Sequence, residues 1–310
     1  MNIIETHALS HRYWSEFSLG TWRNEAVHDL TLAVPEGSVY ALLGANGAGK
    51  TTTIKVLMNL LQPARGVARV LGVDSRQLGE REYAQIGYVS ENQKLPLWMT
   101  VRQLLDYCRP FYPTWDRELE KKLLRQFELP EDRKLRHLSR GMLMKAALLS
   151  VLPYRPKLLV LDEPFSGLDP LMRHDFVRGV LEVSNTGEWT VLVSSHDIDD
   201  VERLVDHVGI MEEGWLKLGE PADQLLGRFR QVELTGATFD ASLKPAGALE
   251  WECAGQLTKF IATDYAGEAS ERAWHERWPE ATLRLSPLSL REIFITLARA
   301  GRNAEKGAVA

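Results

Sequence analysis

Continuous apolar runs and one alternating stretch mark the strands expected before residue 227. Runs at residues 38–43, 158–161 and 190–195 are typical of strands buried on both faces of a parallel sheet. Residues 26–34 instead alternate apolar and polar positions and end at a turn over residues 35–37, which predicts a half-exposed strand. A sheet with both kinds of strand is expected.

Helical spacing replaces these patterns between residues 100 and 152, where Val101, Leu104, Leu105 and Cys108 share one helix face. We therefore expect a helical subdomain at about residues 92–155, inserted between two strands of an α/β domain that covers residues 1–228.

The pattern of apolar and polar residues changes near residue 229. Residues 231–235, 248–254 and 257–264 have strand patterns, whereas residues 269–278 and 289–302 have helical ones. They predict a small α+β domain over residues 229–302. The tail at residues 303–310 is expected to be disordered.

Composition limits the class of protein. The chain has 310 residues, a formal net charge of −5 and two cysteines in no metal or redox spacing. The charge argues against a general nucleic-acid binder, and the cysteines indicate a reducing compartment. With no signal-like start and no apolar run of spanning length, a location in the cytoplasm is expected.

The sequence GANGAGKTT at residues 44–52 has the spacing G-x-x-x-x-G-K-[ST] and links an apolar run to helix-forming residues. Its glycines let the backbone wrap around an oxyanion, and the next helix presents the positive end of its dipole. We expect Lys50 to reach the β- and γ-phosphates and the Thr51 hydroxyl to bind Mg²⁺. The nucleotide-binding candidates in this loop are Gly44, Asn46, Gly47, Ala48, Gly49, Lys50, Thr51 and Thr52.

Two carboxylates, Asp162 and Glu163, end the apolar run at 158–161. Ligands bind at the carboxyl edge of such sheets, so Asp162 is expected to hold Mg²⁺ and Glu163 to act on the attacking water. Upstream, Ser139 is placed to cap a helix and Gly141 permits close backbone approach, so this helix start could also bind a phosphate.

With these parts in this order, the chain resembles an ATP-binding cassette (ABC) protein from about residue 4 to residue 226. Residues 44–51 match Walker A, 158–163 match Walker B, 138–142 match the signature, and 166–169 match the D-loop. The resemblance implies a P-loop NTPase of the ABC type, with a mixed sheet, an antiparallel β part and a helical insertion. It also implies roles for Asp169 in ATP binding and for His196 in contacting the γ-phosphate.

The family also implies partners. Two cassettes pair head to tail, so ATP held by Lys50 of one copy would be covered by Ser139 and Gly141 of the other, in a homodimer or a heterodimer. A separate transmembrane permease would bring the protein to the inner face of the cell membrane. Its coupling helix would enter a groove formed in part by Leu97, Trp98 and Phe111, although core packing of these residues is an equal alternative.

Two motifs depart from the usual pattern of the family. Arg140 and Met142 alter the signature, which usually reads L-S-G-G-Q, and Glu91 occupies the position of the family's glutamine, where it would approach ATP and Mg²⁺. Both variants resemble ABC-2 type exporters, as does the stretch at residues 289–294. The adenine-stacking aromatic stays open between Tyr13 and Trp22.

Two other functions compete with a transport ATPase. An ABC ATPase acting on nucleic acid or ribosomes is disfavoured because chromosome-type cassettes carry a very long coiled coil between Walker A and Walker B, and translation-type members carry two cassettes. A regulatory module with little turnover is disfavoured because Lys50, Thr51, Asp162, Glu163 and His196 are all present.

Overall fold

A computed structural model describes residues 1–13, 24–166, 168, 173, 189–202, 204–237 and 244–308. The chain divides into two compact units, Met1–Gly219 and Glu220–Ala310. The second unit thus begins at Glu220, whereas the change of composition predicted a boundary at residue 229.

The strands and helices are numbered here in chain order. The strands are β1 Asn2–Tyr13, β2 Asn24–Pro35, β3 Val39–Leu43, β4 Arg65–Val70, β5 Val73–Asp74, β6 Ile86–Ser90, β7 Leu158–Asp162, β8 Thr190–Ser195, β9 His207–Glu212, β10 Trp215–Pro221, β11 Arg230–Thr235, β12 Leu249–Ala254, β13 Leu257–Ala262 and β14 Thr282–Pro287. The α-helices are α1 Lys50–Leu57, α2 Glu80–Tyr83, α3 Val101–Cys108, α4 Arg117–Gln126, α5 Arg140–Leu149, α6 Ala222–Arg228, α7 Glu268–Arg277 and α8 Leu290–Ala308.

The central sheet of the first unit has the strand order β10-β9-β3-β8-β7-β6. β9, β3, β8, β7 and β6 run parallel to one another. Every residue of β7 and β8 is buried, as their continuous apolar runs predict for central parallel strands. The expected mixed architecture of sheets and an inserted helical segment is confirmed.

The register of this sheet brings four strand ends to one edge. Leu43 pairs with Ser195, Asp162 pairs with Ser194, and Ser90 pairs with Asp162. The loops that follow β3, β6, β7 and β8 therefore leave the sheet side by side, which is the arrangement that binds ligands in open parallel sheets.

A smaller sheet of order β2-β1-β4-β5 is antiparallel. β2 shows the predicted alternation, with Leu30, Leu32 and Val34 buried in the core cluster that also contains Ile54 of α1. This core fixes α1 against the antiparallel sheet and so holds the loop in front of it.

Three α-helices occupy the insertion between β6 and β7. Thr100 caps α3 and forms a capping box with Gln103, while Val101, Leu104 and Leu105 are buried. The predicted helical face is thus confirmed. At the end of the insertion, Tyr154 is buried and its hydroxyl donates to the Ile86 carbonyl at 2.7 Å, which ties the helical segment to β6.

The second unit is built on an antiparallel sheet of order β12-β13-β11-β14 with an aromatic core. The core cluster contains Phe260 and Trp278, with Trp251 and Trp274 packed against it. The last helix reaches Ala308, so the disorder expected from residue 303 is wrong over residues 303–308. The helix continues past the amphipathic pattern of residues 289–302 because residues 304–306 are Ala, Glu and Lys, which have high helix propensity.

In the parts of the chain that the structure describes, no helix combines the length and the apolarity needed to cross a membrane.

Candidate functional site

The loop after β3 has the backbone shape that its glycines predict. Gly49 has φ 101°, and a Cβ atom there would lie 2.4 Å from the Ala26 carbonyl oxygen, so only glycine fits. α1 begins at the next residue, Lys50. Ala45, Asn46 and Gly47 are exposed at the front of the loop, where they are accessible to a ligand.

The Lys50 side chain is buried, yet its ammonium group has two hydrogen-bond acceptors and an ion-pair partner. Nζ donates to the carbonyl oxygens of Gly44 at 2.7 Å and Ala45 at 3.2 Å. It also lies 2.9 Å from Oε1 of Glu163. The ammonium group is therefore held by two carbonyl hydrogen bonds and one ion pair within the subunit.

Glu163 lies between two cationic or potentially cationic groups. Its Oε1 contacts Lys50, and its Oε2 lies 2.7 Å from Nδ1 of His196. Its backbone has φ 52°, a left-handed conformation that is strained for a residue with a side chain. The Glu163 N–H donates to Oγ of Ser194 at 3.0 Å, which stabilises this conformation. Strain of this kind concentrates at functional sites.

Asp162 is buried and bound by two hydroxyl groups. Thr51 Oγ1 donates to Oδ1 at 3.0 Å and Ser194 Oγ donates to the same atom at 2.8 Å. Burial raises the pKa of Asp162, while the two hydroxyl hydrogen bonds oppose that rise. A hydroxyl oxygen and a carboxylate oxygen are hard donors of the kind that Mg²⁺ prefers, and Mg²⁺ completes its shell with waters and phosphates. Thr51 and Asp162 therefore fit Mg²⁺.

Glu91 lies beside Asp162, but its side chain contacts two other residues. Its N–H donates to the Asp162 carbonyl at 3.0 Å. Its side chain forms an ion pair with Arg140 and accepts a hydrogen bond from Ser166 Oγ at 2.8 Å. The expected approach of Glu91 to ATP and Mg²⁺ would thus have to replace these contacts.

The other residues expected to contact the nucleotide differ in exposure and in hydrogen bonding. Ser139 is the N-cap of α5 and is exposed, with Oγ accepting from the Met142 N–H at 3.3 Å, whereas Gly141 is buried. Tyr13 ends β1 and its hydroxyl lies 3.1 Å from Oγ1 of Thr52. Trp22 and Asp169 lie outside the described residues.

Ser194 was missed by the sequence analysis. Its single hydroxyl connects Asp162 to the backbone of Glu163. The available signal was the pair of serines that ends the apolar run of β8, because polar residues at the end of a buried parallel strand face the ligand edge. Only the register between β7 and β8 shows which carboxylate Ser194 contacts.

Comparisons with known proteins agree with this geometry. Residues 27–166 match the family model described as ABC transporter. The chain is 30% identical over 296 residues to the Nod factor export ATP-binding protein I of Neorhizobium galegae, covering 92% of this chain and 84% of that one. It is 31% identical over 231 residues to the bacitracin transport ATP-binding protein of Bacillus licheniformis, covering 74% of this chain and 73% of that one.

A solved structure of the ATP-binding subunit of an ABC transporter matches with a TM-score of 0.62 and 30% identity, over 72% of this chain and 91% of that one. An ATPase acting on nucleic acid or ribosomes is not favoured by these matches. The phosphate loop, the Asp162–Glu163 pair and these similarities together lead to one assignment: the chain belongs to the ABC transporter family and is an ATP-binding subunit with ATPase activity.

Proposed function

We propose that the chain binds Mg·ATP between two copies of an ABC subunit and uses its hydrolysis to drive a separate membrane permease in export. The observation that carries this proposal is the position of Glu163, held between Lys50 and His196 where β7 and β8 end. A phosphate-binding cation and an orienting imidazole thus both contact the proposed base.

Lys50 couples nucleotide binding to the release of this base. A triphosphate entering the loop offers oxygens in place of the carbonyls of Gly44 and Ala45 and of the Glu163 carboxylate. Loss of a partner from a buried ion pair is otherwise strongly unfavourable, on the order of 3–5 kcal/mol. Glu163 is therefore free to polarise water only when phosphate has replaced it at Lys50.

His196 retains its contact with Glu163 through Nδ1 and can orient that carboxylate. Its other ring nitrogen can face the γ-phosphate. Thr51 and Asp162 would hold Mg²⁺, which supplies charge neutralisation for the phosphates when bound.

Tyr13 is our choice for stacking on adenine. Its hydroxyl contacts Thr52, which directly follows the Mg²⁺-binding Thr51, so the ring stands beside the start of α1. The side chain is 40% exposed and so can cover a base. Trp22 remains the alternative.

Pairing of two copies, identical or different, completes the site. The exposed Ser139 at the start of α5, together with Gly141, would cover ATP held by Lys50 of the other copy. Three or four charge-assisted hydrogen bonds to the γ-phosphate, at roughly 1.5–3 kcal/mol each, give a gross change of about 5–12 kcal/mol when it is lost. About 5.5 kcal/mol converts a 1:99 equilibrium to 99:1, so hydrolysis can open the pair.

Exposed apolar side chains provide the contact to a permease. Trp98 is 66% exposed and Phe111 is 64% exposed, so neither is a core residue. Leu97 is also exposed and lines a cavity with Leu95, Leu143 and Met144. Large exposed apolar groups of this type commonly anchor protein interfaces. The permease would then contact Trp98 and Phe111 and enter the cavity that Leu97 lines between the Glu91 loop and α5, at the inner face of the membrane.

The assignment to export rests on the names of the relatives, one of which exports Nod factor and one of which transports bacitracin. The cargo itself would be selected by the permease.

Co-purification from detergent extracts tests this function. We expect a multi-span membrane protein to accompany the chain and to be lost when Trp98→Glu and Phe111→Glu are combined. Leu60→Glu, at a similarly exposed apolar side chain outside the helical insertion, is the control. Retention of the partner by the double variant would contradict a permease contact at Trp98 and Phe111, and recovery of ribosomes or RNA would contradict the transport function.

A further inference from the structure

Two departures from the usual ABC pattern, 49 residues apart in sequence, meet in the structure. Glu91 stands where the family has glutamine, and Arg140 stands within the signature where glycine is usual. The guanidinium of Arg140 forms an ion pair with Oε1 of Glu91. Ser166 donates to the same oxygen, so Glu91 joins three segments around the site.

The location of this Glu91–Arg140 pair links two parts of the machinery. Glu91 follows β6 and its N–H bonds to the Asp162 carbonyl at 3.0 Å, so it lies on the edge where β7 delivers its carboxylates. Arg140 is the first residue of α5, next to the exposed Ser139. The pair therefore connects the start of the signature helix to the edge where Mg²⁺ would bind.

Each carboxylate at this edge has its own partner. Glu163 is paired with Lys50, and Asp162 accepts from hydroxyl groups. Glu91 adds a third negative charge, which would repel the other two unless a cation neutralises it. Arg140 supplies that cation in the ligand-free subunit, whereas Mg²⁺ would offer twice the charge.

We propose that Arg140 and Mg²⁺ compete for the Glu91 carboxylate, so that binding of Mg·ATP breaks the Glu91–Arg140 pair and releases the start of α5. This inference rests on the proposed binding of Mg²⁺ by Thr51 and Asp162. The side chains of Arg140 and Glu91 are 55% and 25% exposed, so the competition is modest and a two- to fivefold effect of about 0.4–1 kcal/mol is expected.

Calorimetric titration with a non-hydrolysable ATP analogue at a series of Mg²⁺ concentrations tests this. Arg140→Gln should lower the Mg²⁺ concentration for half-maximal affinity by about two- to fivefold, because Glu91 no longer has a competing partner. Arg140→Lys keeps the charge without the planar fork, and we expect a smaller shift. Arg136→Gln, which removes an exposed arginine just before the signature, should leave the Mg²⁺ dependence unchanged.

The same titration in a Glu91→Gln background separates the possible causes. There, Arg140→Gln should have no further effect on the Mg²⁺ dependence, because no carboxylate is left to share. An equal shift in both backgrounds would show that Arg140 acts on the nucleotide itself and would overturn the inference, as would an unchanged or raised Mg²⁺ requirement in Arg140→Gln. Failure of the unaltered protein to bind the analogue at any Mg²⁺ concentration would instead contradict the proposed function.

Discussion

At the scale of single residues, the site is organised by charge. Lys50 and Glu163 form a largely buried ion pair, and the strained backbone of Glu163 is stabilised by a hydrogen bond to Ser194. Sequence spacing was sufficient to propose Lys50, Asp162 and Glu163, because their chemistry follows from position on a strand or loop. The hydroxyl bridge of Ser194 could not be derived, since it depends on the register of two strands far apart in sequence.

Replacement of the proposed base separates binding from chemistry. We expect Glu163→Gln to keep ATP affinity while turnover falls by about 10²- to 10⁴-fold, because an amide does not accept a proton from water. Phosphate release under saturating Mg·ATP measures this. Glu118→Gln, at an exposed glutamate of α4, is the control and should retain full turnover. Normal turnover in Glu163→Gln would refute the assignment of the base.

The ring and the hydroxyl of Tyr13 can be tested separately. Tyr13→Phe keeps the ring and loses only the contact with Thr52, so ATP affinity should change little. Tyr13→Ala removes the stacking surface, which is worth about 1–3 kcal/mol per base and corresponds to a 5- to 150-fold weaker Kd. Equilibrium binding of a fluorescent ATP analogue distinguishes the two. If Tyr13→Ala binds as tightly as the unaltered protein, Tyr13 does not stack on the base.

At the scale of elements, apolar runs identified the buried strands β3, β7 and β8, and helical spacing identified α3. These elements could be predicted because the order of apolar and polar residues within each one indicates which of its positions are buried. Pairing between distant elements could not, since no local pattern records which loop meets which helix. The contact of Glu91 with Arg140 at the start of α5 is an example.

Substitution of Tyr154 tests how the helical insertion is attached to the central sheet. Its hydroxyl donates to the Ile86 carbonyl, and its ring stacks on Tyr112 with centroids 3.7 Å apart. Tyr154→Phe leaves that buried carbonyl without this donor, so the free energy of unfolding should fall by about 1–3 kcal/mol. Tyr107→Phe, at an exposed tyrosine of α3, should change it by less than about 0.5 kcal/mol. Denaturant unfolding measures both, and equal values for the two variants would contradict a fastening role for Tyr154.

At the scale of the whole molecule, the proposed ATPase site is a composite one, which a second copy would have to close. Lys50, Asp162 and Glu163 lie on the sheet edge, whereas Ser139 is exposed at the start of a helix in the insertion. The resemblance predicted the head-to-tail pair because the signature has a function only opposite another copy's phosphate loop. The second unit, with its aromatic core and long α8, carries no residue that this account of hydrolysis requires.

Sedimentation velocity of Glu163→Gln with and without Mg·ATP tests the shared-nucleotide site most directly. We predict single subunits without nucleotide and a species of twice the mass with Mg·ATP, because the blocked hydrolysis leaves the γ-phosphate between the two copies. Ser139→Glu should abolish the larger species while ATP still binds, since it places a negative charge against the phosphate. Single subunits that are saturated with Mg·ATP would contradict the account.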